Sequence, residues 1–306
     1  MPLPYSGHRL ERRERIGERW TERADANKAP GARQEGAERR HYHYNELGYR
    51  GPGFYREARW FAFVFGESDA FGDGVDFEEV WAVRVAREIA ARRGFARHET
   101  CVMNFAEEGA SNAHIARTAV TQCGRIRPDL VLVNFAEEHR TEGWMDGRIY
   151  GAGWWHNATG ADRTVDALPE EGGLRSRYRE WLTRARAFLK FAHGEQAVFD
   201  ALRDILLVQE ALRASGIESY AVSRGSKHLF ERERAEDPAM GPLVRWIDRT
   251  FLPGIDPLRA RRRIDWTEKG QHYGARTHEA IARKMVEHIE RVSPSPARPA
   301  ALAMAR

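Results

Sequence analysis

"RWFAFVFGESDAFGDGV" occupies residues 59–75, and its apolar run stops abruptly on Gly66, Glu67 and Ser68. A short apolar run without polar alternation reads as a strand buried on both faces. The segment after it, "EEVWAVRVAREIAARRG" (78–94), places Val80, Trp81, Val83, Val85, Ile89 and Ala90 at helical spacing and ends on a glycine. Strand, loop and amphipathic helix therefore follow one another. The pattern repeats: "ETCVMNF" (99–105) is a second strand and "SNAHIARTAVTQC" (111–123) a second helix, with Ser111 or Asn112 as its cap. "DLVLVNF" (129–135) is a third strand, helical patterns run over 174–192 and 196–214, "IESYAVS" (217–223) is a fourth strand, and "THEAIARKMVEHIERV" (277–292) is a closing helix.

Apolar strands alternating with helices predict an α/β fold with a parallel sheet covered on both faces. Ligands of such sheets bind beyond the carboxyl ends of the strands. Ser68 lies just past the end of the first strand, so its hydroxyl and backbone N–H are expected on the functional rim.

The chain has 306 residues, 42% of them hydrophobic, enough for a sizeable core. It reads as one α/β domain over 45–292, with a charged arm at 1–44, an insertion at 139–173 and a Pro/Ala-rich tail at 293–306. No apolar run reaches the length of a membrane helix, and the first residues lack the apolar core of a signal peptide, so a cytoplasmic location without a membrane partner is expected. Cys101 and Cys123 read as free thiols in that compartment. The net charge of +4 is concentrated in the arm, where signs alternate, so no nucleic-acid partner is expected.

The loop after the first strand lacks the lysine of a Walker motif and the spaced glycines of a dinucleotide turn. Ala70 stands where a nucleophile elbow needs its second glycine. What remains, Gly-Glu-Ser followed by "FGDG", resembles the first block of the SGNH (GDSL-like) hydrolases, in which Gly-Asp-Ser carries the nucleophile. "NFAEEGASNAHIAR" supplies Gly109 where that family has an oxyanion glycine, and "EKGQHYGARTHEAIARKM" places His272 at the position of the catalytic base. "NELGYRGPGF" (45–54) resembles the lead-in of bacterial members acting on carbohydrate or other acyl esters.

That resemblance implies a flavodoxin-like three-layer fold and acyl ester chemistry through Ser68, with no cofactor. The substrate expected is a small-molecule or carbohydrate acyl ester, cleaved or transferred. Three blocks depart from the family. Glu67 replaces the aspartate beside the serine, and "AEEH" (136–139) replaces Gly-x-Asn-Asp, so Glu138 stands where the oxyanion asparagine would be. Lys269 stands where the acid before the histidine belongs, leaving Glu268 as the expected orienting acid, with Asp265 nearby. Asn112 is the expected substitute donor beside the N–H groups of Ser68 and Gly109.

The interval 139–173 holds Trp144, Trp154 and Trp155 and is long for a connection, which points to a lid or binding loop. These tryptophans, with Glu138 and His139, are the expected substrate contacts. "NFAEE" occurs at 104–108 and again at 134–138, both copies ending strands. The altered blocks leave a non-catalytic binding protein as one alternative. The doubled acidic motif leaves a metal-dependent enzyme as another.

Overall fold

The computed structural model describes residues 19–21, 41–45, 47–55, 57–145, 148–152, 174–191, 194–224, 229–255, 265 and 272–293. In chain order the strands are β1 (Arg19–Thr21), β2 (His41–His43), β3 (Trp60–Gly66), β4 (Thr100–Asn104), β5 (Leu130–Phe135), β6 (Thr141–Met145), β7 (Arg148–Ala152) and β8 (Glu218–Ser223). The helices are α1 (Ser68–Phe71), α2 (Trp81–Arg92), α3 (Asn112–Arg125), α4 (Leu174–Phe191), α5 (Glu195–Ala214), α6 (Arg232–Glu236), α7 (Gly241–Trp246) and α8 (Ala275–Val292). No helix among the described residues is long and apolar enough to cross a membrane.

The central sheet is parallel throughout, in the order β4-β3-β5-β8. Every residue of β4 and β5 is buried, and so are all of β3 but Phe61. Side-chain alternation divides β3 between two cores. Phe63 and Phe65 pack with Met103, Val131, Val133 and the apolar faces of α3 and α5. Ala62 and Val64 pack with Val102, Leu132, Val222 and the apolar faces of α2 and α8. The result is the layered α/β arrangement that the alternating pattern predicts, with the flavodoxin-like strand order that the family resemblance implies. The order reverses between β3 and β5, so the ligand crevice of such a sheet lies where Ser68 emerges.

The arm and the insertion each contain described strands. The arm contains the antiparallel pair β1–β2. The insertion begins with a second antiparallel pair, β6–β7, in which Trp144 is opposite Ile149. Short alternating segments, "TEGWM" and "RIYGA", build this hairpin, and their glycines hid the alternation from a reading keyed to apolar runs. Cys101 and Cys123 are buried free thiols, and burial pushes the Cys123 thiol up to about 12.

Candidate active site

Gly66 makes the exit from β3 possible. Its φ is 155°, and a Cβ there would lie 2.6 Å from the Ala70 Cβ and 2.9 Å from the Asn134 carbonyl oxygen. Only a residue without a side chain lets the chain pass this close to β5. The turn then carries Glu67, Ser68 and Asp69 on consecutive positions, all buried, with Ser68 5% exposed.

Glu67 is the centre of the rim. Its Oε2 accepts the Ser68 hydroxyl at 2.5 Å and an Arg140 N–H at 3.2 Å. Its Oε1 accepts the Asn134 amide at 2.8 Å and the Asp69 N–H at 3.2 Å, with the Arg224 Nε at 3.6 Å. Burial alone would push this carboxyl up, but Arg224, Arg140, the Ser68 hydroxyl and His272 together hold it well below the usual carboxylate range. It is an ionised anchor that needs all of these partners.

Asp69 meets Arg224 with two bonds to Oδ2, 2.7 Å from Nε and 2.6 Å from Nη2. Its Oδ1 is buried without a hydrogen-bond partner. Burial, opposed by Arg224 and reinforced by the Glu67 charge, pushes its carboxyl up to about 7. Arg224 follows the last residue of β8. It also faces Glu137 at 3.8 Å and lies over the Tyr273 ring, 5.5 Å from the centroid.

His272 stands before α8 with Nδ1 3.0 Å from Oδ2 of Asp73. Burial opposes its charged form, yet the hydrogen bond and charge of Asp73, with Asp69 and Glu67, raise its pKa. The imidazole therefore shares the rim with the serine turn. The Ser68 hydroxyl donates to Glu67. Among the described residues the acid against His272 is Asp73, from the "FGDG" loop; Glu268 lies outside them. Asp265, the other nearby carboxylate, accepts from the N–H groups of Arg276 and Thr277 and braces the start of α8 instead.

Gly109 sits in the turn after β4 with φ 75°, where glycine is favoured. Asn112 uses its amide on the backbone of Ala136, accepting its N–H at 2.8 Å and donating to its C=O at 3.2 Å, which ties the start of α3 to the end of β5. Glu138 lies 3.7 Å from His139, whose side chain is 48% exposed. Trp144 is placed by its backbone in β6, while Trp154 and Trp155 lie outside the described residues. The acidic echo does not gather ligands: Glu137 faces Arg224, and among the described residues no three of His, Cys, Asp and Glu are grouped to hold a metal ion.

Sequence reasoning missed Asp73, Asn134 and Arg224, and paired Arg140 with the strand-end glutamates rather than with Glu67. The repeated "NFAEE" held a signal in its asparagines rather than its glutamates. Asn104 is the last residue of β4 and Asn134 the last but one of β5, the two strands flanking β3; Asn104 donates to the Ala70 carbonyl at 2.9 Å and Asn134 to Glu67. Each copy thus ties down one side of the serine turn.

The rim defines an α/β protein with a serine, a histidine and paired acids at the switch point of its sheet. No family model matches the chain, and no curated protein matches it in sequence. Among solved structures it is similar to the psychrotrophic esterase EstA from a Pseudoalteromonas species, inhibited by monoethylphosphonate, at 10% identity and TM-score 0.40 over 76% of this chain and 97% of that one. It is also similar to an acetylxylan esterase from Geobacillus stearothermophilus, at 11% identity and TM-score 0.38 over 76% of this chain and 94% of the other. A member of the lipolytic G-D-S-L family from Veillonella parvula aligns at 10% identity and TM-score 0.35 over 76% and 100%. The chemistry has to follow from this chain's own side chains.

Proposed function

We propose that the chain is a serine-dependent acyl ester hydrolase or acyltransferase that works through a Ser68 acyl-enzyme on a small-molecule or carbohydrate ester. The observation that carries this reading is the histidine beside the serine turn, held by its own carboxylate: His272 Nδ1 faces Asp73 at 3.0 Å. That pairing leaves Nε2 to take the serine proton, and Asp73 stabilises the imidazolium that forms.

In the reaction the Ser68 Oγ bonds to the acyl carbon while His272 takes its proton. The tetrahedral intermediate collapses, the C–O bond to the leaving alcohol breaks, and His272 returns the proton to that alcohol. Water or a second alcohol then repeats the sequence and frees Ser68. Backbone N–H groups of Ser68 and Gly109 are the oxyanion donors in this scheme. Glu67 does not compete as the base, because a carboxylate held so far below its usual range accepts a proton poorly. Its part is to hold the turn, and it releases the hydroxyl when substrate draws Ser68 toward His272.

The burial of Ser68 and its bond to Glu67 also favour a second reading, a binding protein that retains the pocket without turnover. Turnover of short-chain p-nitrophenyl esters, with and without an added alcohol acceptor, separates the two. Release of p-nitrophenol that is lost in Ser68→Ala supports the enzyme, and new ester product with the alcohol supports transfer. Absence of turnover together with saturable ester binding supports the binding protein.

A further inference from the structure

The lead-in "NELGYRGPGF" buries Asn45, Tyr49 and Arg50. Arg50 is 2% exposed. Its Nη1 donates to the carbonyls of Phe71 at 2.7 Å and Gly72 at 2.5 Å, and its Nη2 donates to the carbonyl of Val75 at 2.5 Å. The guanidinium also lies 5.2 Å from the centroid of the Phe71 ring. Burying a guanidinium is costly unless its N–H groups are met, and here backbone carbonyls meet both terminal nitrogens.

Those carbonyls bracket Asp73 on both sides. The loop is shaped to receive them: Gly72 has φ 85°, and a Cβ there would meet Val80 and, at 2.8 Å, the Nη1 of Arg50. Arg50 is itself fixed by its own turn. Asn45 Oδ1 accepts the N–H groups of Leu47 at 3.0 Å and Tyr49 at 3.1 Å, and Arg50 is bridged to Tyr44. The Asp73 N–H closes the loop from the other side on the Ser68 carbonyl at 3.1 Å.

We propose that Arg50 is a positioning residue of the candidate active site: by pinning the backbone on either side of Asp73, it sets where that carboxylate stands and so how His272 is oriented. The proposal rests on His272 serving as the base of the acyl chemistry above. A planar fork with several fixed donors suits this task, and a lysine, with one flexible ammonium, does not reproduce it.

The test follows the His272 imidazole by NMR, assigned through His272→Gln, in the intact chain. The groups acting on that imidazole are Asp73, Asp69 and Glu67, against burial. Removing a nearby positive charge would by itself raise a histidine pKa. Release of Asp73 would lower it, so the two effects have opposite signs. Arg50→Met is expected to lower the His272 titration, in the same direction as Asp73→Asn. The double variant should fall no further than Asp73→Asn alone. Arg50→Lys, also the variant to use if Arg50→Met does not fold, should fall part of the way.

A folded Arg50→Met or Arg50→Lys that titrates like the wild type would overturn the proposal. So would a fall that persists undiminished in the Asp73→Asn background. Fluorophosphonate labelling of the same samples reads the acyl chemistry separately. A wild type that takes no label counts against the catalytic reading, while the titrations still decide whether Arg50 acts through Asp73.

Discussion

Replacing Arg224 by methionine removes the group that faces both buried carboxylates of the serine turn. Arg224 has a side chain 7% exposed and holds Asp69 with two bonds of 2.7 and 2.6 Å. It also lies 3.6 Å from Glu67, so among the described residues Arg140 and His272 would remain as the positive groups acting on the two carboxyls. Breaking a buried pair by removing one partner typically costs about 3–5 kcal/mol. With a urea m-value near ~3 kcal/mol/M for a chain of this size, the midpoint would fall by about 1–2 M. The buried Trp60 and Trp81 make fluorescence a direct reporter of the transition.

The deficit also depends on pH. Asp69 in the fold titrates at about 7, above its unfolded value near ~3.9. The stability that comes with its proton is therefore complete below the unfolded value and is lost as pH rises through the folded one. Without Arg224 the carboxyl holds its proton still more tightly, so the deficit of Arg224→Met should be largest near pH 8 and shrink toward pH 5. A midpoint shift under about 0.3 M, or a deficit constant over that range, would refute the account of Arg224 as the counter-charge of this turn.

Three further outcomes follow from the same geometry. Gly66→Ala forces a Cβ against Ala70 and Asn134 and should destabilise by about 1–3 kcal/mol, read as a lower thermal midpoint. His278 is buried, accepts the Trp81 N–H at 3.1 Å and is pushed down to about 3 by burial, with Arg50 and Arg84 adding to the effect. Its neutral form is what the fold accommodates, so its contribution is complete above ~6.5 and falls by roughly 1.4 kcal/mol per unit below that. His278→Gln should therefore flatten the urea midpoint between pH 6.5 and 5 relative to wild type. Asn112→Ala should cost about 1–3 kcal/mol through its lost clamp on Ala136 and leave ester turnover per folded molecule unchanged; a rate loss of about 10²–10³ would instead make it an oxyanion donor.

The layers of the fold were legible because burial on both faces writes itself into sequence as unbroken apolar runs. "FAFVFG", "CVMNF" and "LVLVNF" each read as strands, and the helices between them show a single apolar stripe. Gly66 and Ser68 were legible for a related reason, since a buried strand has to end somewhere and its carboxyl end is where a parallel sheet opens. The polar frame was not. Arg224 and Asp69 are separated by 155 positions, and Arg140 and Glu67 by 73. Pairs so distant in sequence leave no periodic trace, and only folding shows which arginine faces which acid. The partner of His272 was hidden for the same cause: proximity in sequence pointed to Glu268, which lies outside the described residues, whereas a loop that follows the serine brings Asp73 against the imidazole.

In the proposed chemistry Ser68 is a nucleophile activated by His272. Intact-protein and peptide mass spectrometry after incubation with a fluorophosphonate tests it most directly. One covalent adduct on the peptide containing Ser68, absent in Ser68→Ala and slowed by at least about 10²-fold in His272→Ala, is the predicted result. A folded wild-type protein that gains no adduct, or gains it on another residue, would contradict the claim.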